Sequence, residues 1–175
     1  MTLLRFLRVL LDALYRYAGY LAAVFLILIL CFVSMQMMAR WIGEIMTGAP
    51  EFTGYCMAAA SFLALPYALN SGSHIRVNLL LGALGKLRKF GEIWCWAIAS
   101  YFTYIFAKYA VKLTYESYKF NDISQGQDAW PIWIPQVSMV IGTVLLAICA
   151  FDNLFCTLFT GKDNIRHDVA DLQGE

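Results

Sequence analysis

EFTGYCMAAASFLALPYALNSGSHIRVNLLL, residues 51–81, is the part of the sequence from which the architecture of this chain can be worked out. One acid opens the stretch, and the eighteen residues that follow, 52–69, carry no charged side chain. About 20 apolar helical residues are enough to cross roughly 30 Å of hydrocarbon. The stretch therefore predicts a transmembrane helix over residues 52–69, a polar break at residues 70–74 and a second, shorter apolar pattern.

The second apolar pattern predicts a helix that lies on the membrane surface over residues 76–89. Its leucines repeat at the spacing of one helix face, and the basic side chains that flank or oppose this face are Arg76, Lys86, Arg88 and Lys89. The pattern is too short and too charged to cross a bilayer. We expect the four cations to hold the helix against anionic lipid headgroups.

Three further spans are predicted, over residues 18–38, 90–112 and 131–151. The 175 residues are 61% hydrophobic and 14% charged, far from the balance of a soluble domain. The sequence thus predicts an all-α integral membrane protein with four transmembrane helices and a short amphipathic interfacial helix between the second and third. These elements form one domain, residues 1–160, and residues 161–175 form a polar tail. Trp130 and Trp133 should anchor the start of the last span in the interface.

The distribution of Lys and Arg predicts that both termini are cytoplasmic. Residues 2–17 form a basic amphipathic lead, suited to anionic headgroups. The lead, the link at residues 70–90 and the tail together carry nine cations: Arg5, Arg8, Arg16, Arg76, Lys86, Arg88, Lys89, Lys162 and Arg166. The opposite side carries fewer cations, Arg40 and Lys119 together with Lys108 and Lys112 at the end of the third span. The acids of its two links are Glu44, Glu51, Glu116, Asp122 and Asp128.

Small and polar residues inside the spans predict how the helices pack. Ala60, Ala64 and Ala68 recur every fourth residue, a spacing that lets another helix backbone approach closely. Pro66 lacks a backbone donor and is expected to kink its helix. The few polar side chains within the spans are expected to hydrogen-bond between helices: Gln36, Ser61, Ser100 and Thr103.

Several kinds of chemistry are disfavoured by the residues that the spans contain. Haem between helices needs axial ligands, but His74 and His167 lie outside the spans. The five cysteines form no CxxC pair, and neither a GxSxG nor an HExxH motif occurs. We therefore predict no catalytic, cofactor-binding or metal-binding residue, and nothing in the charge distribution indicates nucleic acid.

The span centres also contain no Asp, Glu, Lys or Arg, which transporter sites usually use. Transport by this chain alone is therefore disfavoured, and a structural or accessory membrane subunit is the best interpretation. Two alternatives remain open at this point. One is a four-helix anchor subunit of a respiratory enzyme, and the other is an autonomous exporter of small solutes.

The order of these parts resembles the small membrane subunit of tripartite ATP-independent periplasmic (TRAP) transporters, the DctQ-like family. The segments that carry the resemblance are EFTGYCMAAASFLALPYAL (51–69), SGSHIRVNLLL (71–81) and WPIWIPQVSMVIGTVLL (130–146). The GSHIRV turn followed by leucines is the most specific of them. The likeness covers about residues 18–159, although the first and third spans are similar to the family only in hydropathy.

The resemblance implies a division of labour in the bacterial inner membrane. A periplasmic substrate-binding protein delivers an organic anion, typically a C4-dicarboxylate or a sialic acid. A large membrane subunit binds sodium and substrate, while the small subunit is a fixed scaffold. On this basis Ala60, Ala64 and Ala68 are candidates for close packing within the chain or against the large subunit. The candidates for docking the binding protein are Glu44, Glu116, Lys119, Asp122 and Asp128.

Overall fold

A computed structural model of the protein describes residues 2–44, 46, 48–71, 88–126 and 129–160. These residues form four helices: α1 (Thr2–Ile42), α2 (Ala49–Asn70), α3 (Arg88–Phe120) and α4 (Trp133–Thr160). The extended backbone within the described ranges amounts to one isolated bridge, between Ile123 and Pro131. The prediction of an all-α protein is therefore confirmed.

Three of the four helices are long and apolar enough to cross a membrane, over Val9–Ile42, Ala49–Asn70 and Trp133–Leu158. Helix α3 is long as well, but its 33 residues are interrupted by lysines, glutamates and many tyrosines, which lower its hydropathy. The predicted surface helix over residues 76–89 lies outside the described residues, except that Arg88 and Lys89 open α3. The fold thus contains three candidate spans and one aromatic-rich helix.

The helices pack in the order α1, α2, α4, α3, so that α2 and α4 form the central pair. Tyr15 of α1, Leu69 of α2, Trp96 of α3 and Cys149 of α4 meet at one end of the bundle, which we call the Tyr15 end. Because these residues come from opposite ends of successive helices, neighbouring helices in the chain run antiparallel.

At the other end of the bundle, which we call the Trp130 end, aromatic side chains join the same helices. Phe32 of α1 stacks on Phe52 of α2, with ring centroids 6.2 Å apart. Tyr118 of α3 meets Trp133 of α4 edge to face at 5.5 Å. Such aromatic pairs favour offset or edge-to-face geometry and add to the gain from burying the rings.

Helix α1 is continuous through the basic lead and the first span. Tyr15, Ala18 and Ala22 are buried on one face of it, so the helix already packs against the bundle from Tyr15 onward. The helix ends at Gly43, whose φ of 86° suits a residue without a Cβ. The amide groups of Gly43 and Glu44 donate to the carbonyls of Arg40 and Ala39, which gives these two carbonyls of the last turn hydrogen-bond partners.

The two central helices approach closely at Gly142 of α4. A Cβ atom at this position would collide with the carbonyl of Phe62 in α2. Helix α2 continues through the buried Pro66, which has no N–H to donate to the Phe62 carbonyl four residues earlier. The Gly142 backbone therefore lies against the carbonyl that the proline leaves without its usual helical donor. A weak Cα–H···O contact between Gly142 and the Phe62 carbonyl oxygen is the interaction expected at such a close approach.

Helix α3 turns a stripe of small residues toward α4. Ser100, Ala107, Ala110 and Ser117 are buried on it at spacings of seven and three residues. Small side chains on one face allow the backbones of membrane helices to come close. The bulky aromatic side chains of α3 are consequently exposed on its other faces, including Tyr101, Phe102, Tyr104 and Tyr109.

Most of the polar side chains in the predicted spans do not bridge helices. Ser61 and Thr103 donate to the carbonyls of Met57 and Ala99 in their own helices, both at 2.8 Å, so the prediction of inter-helix bonds is wrong for them. A hydroxyl in an apolar helix often bonds the carbonyl four residues earlier, because that acceptor is always within reach. Gln36 does cross between helices, and its amide donates to Thr53 at 3.4 Å.

Candidate functional site

The link between α3 and α4 at the Trp130 end has a defined backbone. The amide of Ser124 donates to the carbonyl of Trp130 at 2.7 Å, and the amide of Ile132 donates to the carbonyl of Asp122 at 3.0 Å. Ala129 has a φ of 45°, a conformation that costs about 1–3 kcal/mol in a residue other than glycine. The two backbone bonds close the link into a small hairpin-like projection.

This link is fastened to the start of α2. The hydroxyl of Ser124 donates to Oε2 of Glu51 at 3.4 Å and accepts from the amide of Gly126 at 3.3 Å. Next to this contact, Trp130 meets Phe52 edge to face, with ring centroids 5.2 Å apart. The acid that opens the stretch at residues 51–81 is thus a structural partner of the link between α3 and α4. We call this group, formed by Glu51, Phe52, Ser124, Gly126 and Trp130, the outer clasp.

The residues predicted to dock a binding protein fall into two places. Glu116, Lys119 and Asp122 lie together at the exit of α3, while Glu44 lies on the link after α1, across the α2–α4 pair. Glu116 pairs with Lys112 at 3.7 Å, and both side chains remain largely exposed. Lys119 and Asp122 are also exposed. Asp128 lies outside the described residues.

The residues predicted to anchor the protein in lipid are only partly described. Trp130 is exposed on one side and packs on Phe52 with the other, and Trp133 is half-buried against Tyr118. Arg76 and Lys86 lie outside the described residues. The first turn of α3 contains Arg88 and Lys89, whose side chains are outside the described part.

The three alanines predicted for helix packing differ in burial. Ala60 is buried, whereas Ala64 and Ala68 are half-buried. The buried face of α2 contains Ala49, Ala59, Ala60, Leu63, Pro66 and Leu69. Ala60 therefore lies within the face that meets the other helices of this chain, and Ala64 and Ala68 lie at its border.

Sequence reasoning missed a polar cluster at the Tyr15 end. Asn70 donates to Asp12 at 3.5 Å, which joins the last turn of α2 to α1. The amide of Asn153 donates to the carbonyl of Cys149 at 2.9 Å, and the Asn153 side chain is buried. Adjacent Asp152 and Asn153 inside the apolar sequence of α4 are the signal that could have found this cluster.

An open groove of about 370 Å³ on α3 is lined by Phe102, Thr103, Ile105, Phe106 and Tyr109. None of these side chains is a cation, so the groove lacks the charge that would select an organic anion. Among the residues that the structure describes, no three His, Cys, Asp or Glu side chains come together to hold a metal ion.

The outer surface of the bundle is apolar, most of all on α1. Exposed side chains along this helix include Leu26, Ile27, Leu30, Met37 and Met38. A soluble domain rarely exposes so continuous an apolar surface, whereas a membrane protein presents it to lipid or to another subunit. These features define the class: an all-helical membrane protein with several spans.

Residues 29–160 match the family described as tripartite ATP-independent periplasmic transporters, DctQ component. The match covers three quarters of the chain, and the chain belongs to this family of TRAP transporter small membrane subunits. The predicted resemblance is therefore confirmed, and the alternative of a respiratory anchor subunit has no support. No curated protein and no solved structure matches the chain. Members of the family are transporter components that generally work with a large membrane subunit and a binding protein.

Proposed function

We propose that this chain is the fixed scaffold subunit of a sodium-driven TRAP transporter that imports an organic anion of the C4-dicarboxylate or sialic acid type. The large membrane subunit binds sodium and substrate, and the small subunit pairs with it as a heterodimer. A periplasmic binding protein delivers the anion to this pair. The complex lies in the bacterial inner membrane, with both termini of the small subunit in the cytoplasm. The Tyr15 end is then cytoplasmic and the Trp130 end periplasmic.

The observation that carries the scaffold role is the uncovered surface of α1. This helix packs mainly along α2, and only 6% of its most apolar window is buried by the rest of the chain. A protein that carried solute between its own helices would need that surface turned inward around polar groups. A scaffold needs the opposite, an apolar face that another subunit and lipid can cover.

Helix α3 is proposed as the fourth span. Trp96 packs at the Tyr15 end and Tyr118 at the Trp130 end, so the helix runs the length of the bundle. The residues between them cover roughly 33 Å at 1.5 Å per residue, which matches a hydrocarbon thickness of about 30 Å. Lys112 then lies six residues, or roughly 9 Å, from the level of Tyr118, where a long side chain can extend toward the periplasmic headgroups.

The residues of the predicted surface helix keep their proposed role. Arg76, Lys86, Arg88 and Lys89 would lie on the cytoplasmic side, where anionic lipid headgroups attract cations. Trp130 and Trp133 would mark the periplasmic interface, because aromatic rings with a polar edge favour that depth. Together the two groups would fix the depth of the scaffold in the bilayer.

Two protein contacts complete the proposal. Ala60, Ala64 and Ala68 would support close helix packing, with Ala60 inside the chain and the border positions facing a neighbouring helix. Glu44, Glu116, Lys119, Asp122 and Asp128 would contact the periplasmic binding protein. The outer clasp supports this second contact, because a link fixed to α2 presents its charges in one arrangement and loses little conformational freedom on binding.

Co-purification tests the proposed pairing. The tagged chain should be produced with and without the large membrane subunit of the same transporter and extracted into lipid nanodiscs. We expect a stable one-to-one complex from the co-expressed pair and a low yield of the chain alone. A chain that is stable by itself and fails to retain the large subunit would contradict the proposal.

A further inference from the structure

The Tyr15 end contains a buried group of polar side chains around Cys149. Tyr15 of α1 is 1% exposed, Cys149 of α4 is 1% exposed, and Asn153 of α4 is 2% exposed. The carboxamide nitrogen of Asn153 donates to the Cys149 carbonyl at 2.9 Å and lies 3.6 Å from its sulfur. Tyr15 belongs to the same buried cluster as Cys149. The thiol therefore has Tyr15 of α1 and Asn153 of α4 as polar neighbours.

Two complementary polar atoms in this group lack a partner. The hydroxyl of Tyr15 and Oδ1 of Asn153 have no hydrogen-bond partner of ordinary geometry among the described residues. The polar neighbour of the Tyr15 hydroxyl is the Cys149 thiol, and sulfur is a weak donor and acceptor. Buried polar groups in folded proteins are almost always hydrogen-bonded to protein or to ordered water. Here one atom can donate and the other can only accept.

The surroundings of these two atoms are polar. Asp12 and Asp152 are half-buried and close enough to Tyr15 to interact with its hydroxyl electrostatically. Asn70, which donates to Asp12, is the last residue of α2. The cluster therefore lies where a central helix ends, and half-exposed carboxylates connect it to the surface. Water can enter a buried site of this kind, whereas an empty cavity in a protein is normally apolar.

We propose that an ordered water molecule lies between the Tyr15 hydroxyl and Oδ1 of Asn153. The water accepts a hydrogen bond from the hydroxyl and donates one to Oδ1. The water fastens α1 to α4 beside Cys149. It explains why a tyrosine and an asparagine can be fully buried at the Tyr15 end. The site is independent of the transport role, since it uses only groups inside this chain.

The direction in which Tyr15→Phe changes the stability of the chain tests whether a water is bound. Tyr15→Phe in the full chain, in native membrane extracts, should lower the temperature of half-aggregation by about 2–4 °C, the shift expected from losing one hydrogen bond. An empty site predicts the reverse, a rise, because the substitution would remove an unpaired buried hydroxyl. Tyr20→Phe is the matched control on the same helix, 62% exposed, and should leave the temperature unchanged.

Coupling between the two residues gives a second readout. If one water joins them, the double variant Tyr15→Phe with Asn153→Leu should lose less than the sum of the two single losses. Additive losses would contradict a shared water. If a small cation occupied the site instead, the temperature of half-aggregation should differ between sodium and potassium at equal ionic strength. This difference should disappear in Tyr15→Phe. That result would overturn the water assignment.

Discussion

At the scale of single residues, Gly142 is a position in the bundle where a side chain has no room. Its backbone lies against the Phe62 carbonyl, which Pro66 leaves without a helical donor. Gly142→Ala should therefore force α2 and α4 apart and destabilise the chain by about 1–3 kcal/mol, the usual cost of overpacking. The measurement is the temperature of half-aggregation in native membranes.

Gly54 of α2 supplies the matched control, because a Cβ there would meet nothing within 4 Å. Gly54→Ala should leave the protein as stable as before or stabilise it by about 0.5–1 kcal/mol, since alanine is the better helix former. Equal behaviour of the two variants would show that the close approach at Gly142 does not hold the central pair together.

These contacts also mark where sequence reasoning ends. The alanines at every fourth residue from Ala60 predicted a packing face, but a close backbone approach is made by Gly142, two helices later in the chain. No local pattern joins Pro66 to Gly142, because their relation depends on how two distant helices cross. The same holds for Tyr15, Cys149 and Asn153, whose shared burial follows from the tertiary arrangement.

At the scale of elements, hydropathy predicted the apolar helices better than it predicted their ends. The lead and first span are one helix, Thr2–Ile42, because no proline interrupts them and Gly19 is tolerated inside. Helix α4 continues past the predicted end of the span at residue 151 to Thr160, and the buried Asn153 donates to the Cys149 carbonyl within this helix. The surface helix at residues 76–89 stays a prediction.

Helix α3 gives the sharpest topological prediction. If it crosses the membrane, alkaline phosphatase fused after Gln125 should be active in the periplasm, and green fluorescent protein fused after Glu175 should fluoresce in the cytoplasm. Phosphatase fused after Ser71 is the matched control and should be inactive. An inactive phosphatase at Gln125, with the fusion present at normal levels, would contradict a fourth span.

The surface helix is tested by its cations. Replacing Arg76, Lys86, Arg88 and Lys89 with Gln should weaken retention of anionic lipid and lower the yield of the assembled complex, because each cation near an anionic surface contributes about 1 kcal/mol. The measurement is lipid co-purified per chain. The control removes the same number of charges from the opposite side: Arg40, Lys108, Lys112 and Lys119 to Gln. Equal lipid loss in the two variants would contradict a specific anchor.

At the scale of the whole molecule, the Trp130 end contains the clasped link between α3 and α4, and the Tyr15 end contains the buried polar cluster around Cys149. The outer clasp holds the α3–α4 link against α2 through Glu51 and Ser124. Lys119, in the last turn of α3, and Asp122, on the link, are exposed beside this contact. The stretch at residues 51–81 thus contributes at each end, with Glu51 in the clasp and Asn70 beside Asp12.

Charge reversal tests the proposed docking of the binding protein. Asp122→Lys with Asp128→Lys should reduce uptake several-fold when the binding protein is limiting, because like or missing charges slow the encounter of two proteins. A higher concentration of binding protein should restore the rate. Asp163→Lys with Asp168→Lys makes the same change in net charge in the tail and should have no effect. An unaltered rate in the first variant would remove the two residues as docking contacts.

Reconstituted uptake is the decisive test of a scaffold that completes a transporter without transporting by itself. Vesicles should contain this chain, the large subunit, or the two together, with binding protein, labelled organic anion and an inward sodium gradient. A scaffold role predicts sodium-dependent uptake only in vesicles that contain the pair. Uptake by this chain alone, or full uptake by the large subunit without it, would contradict that role.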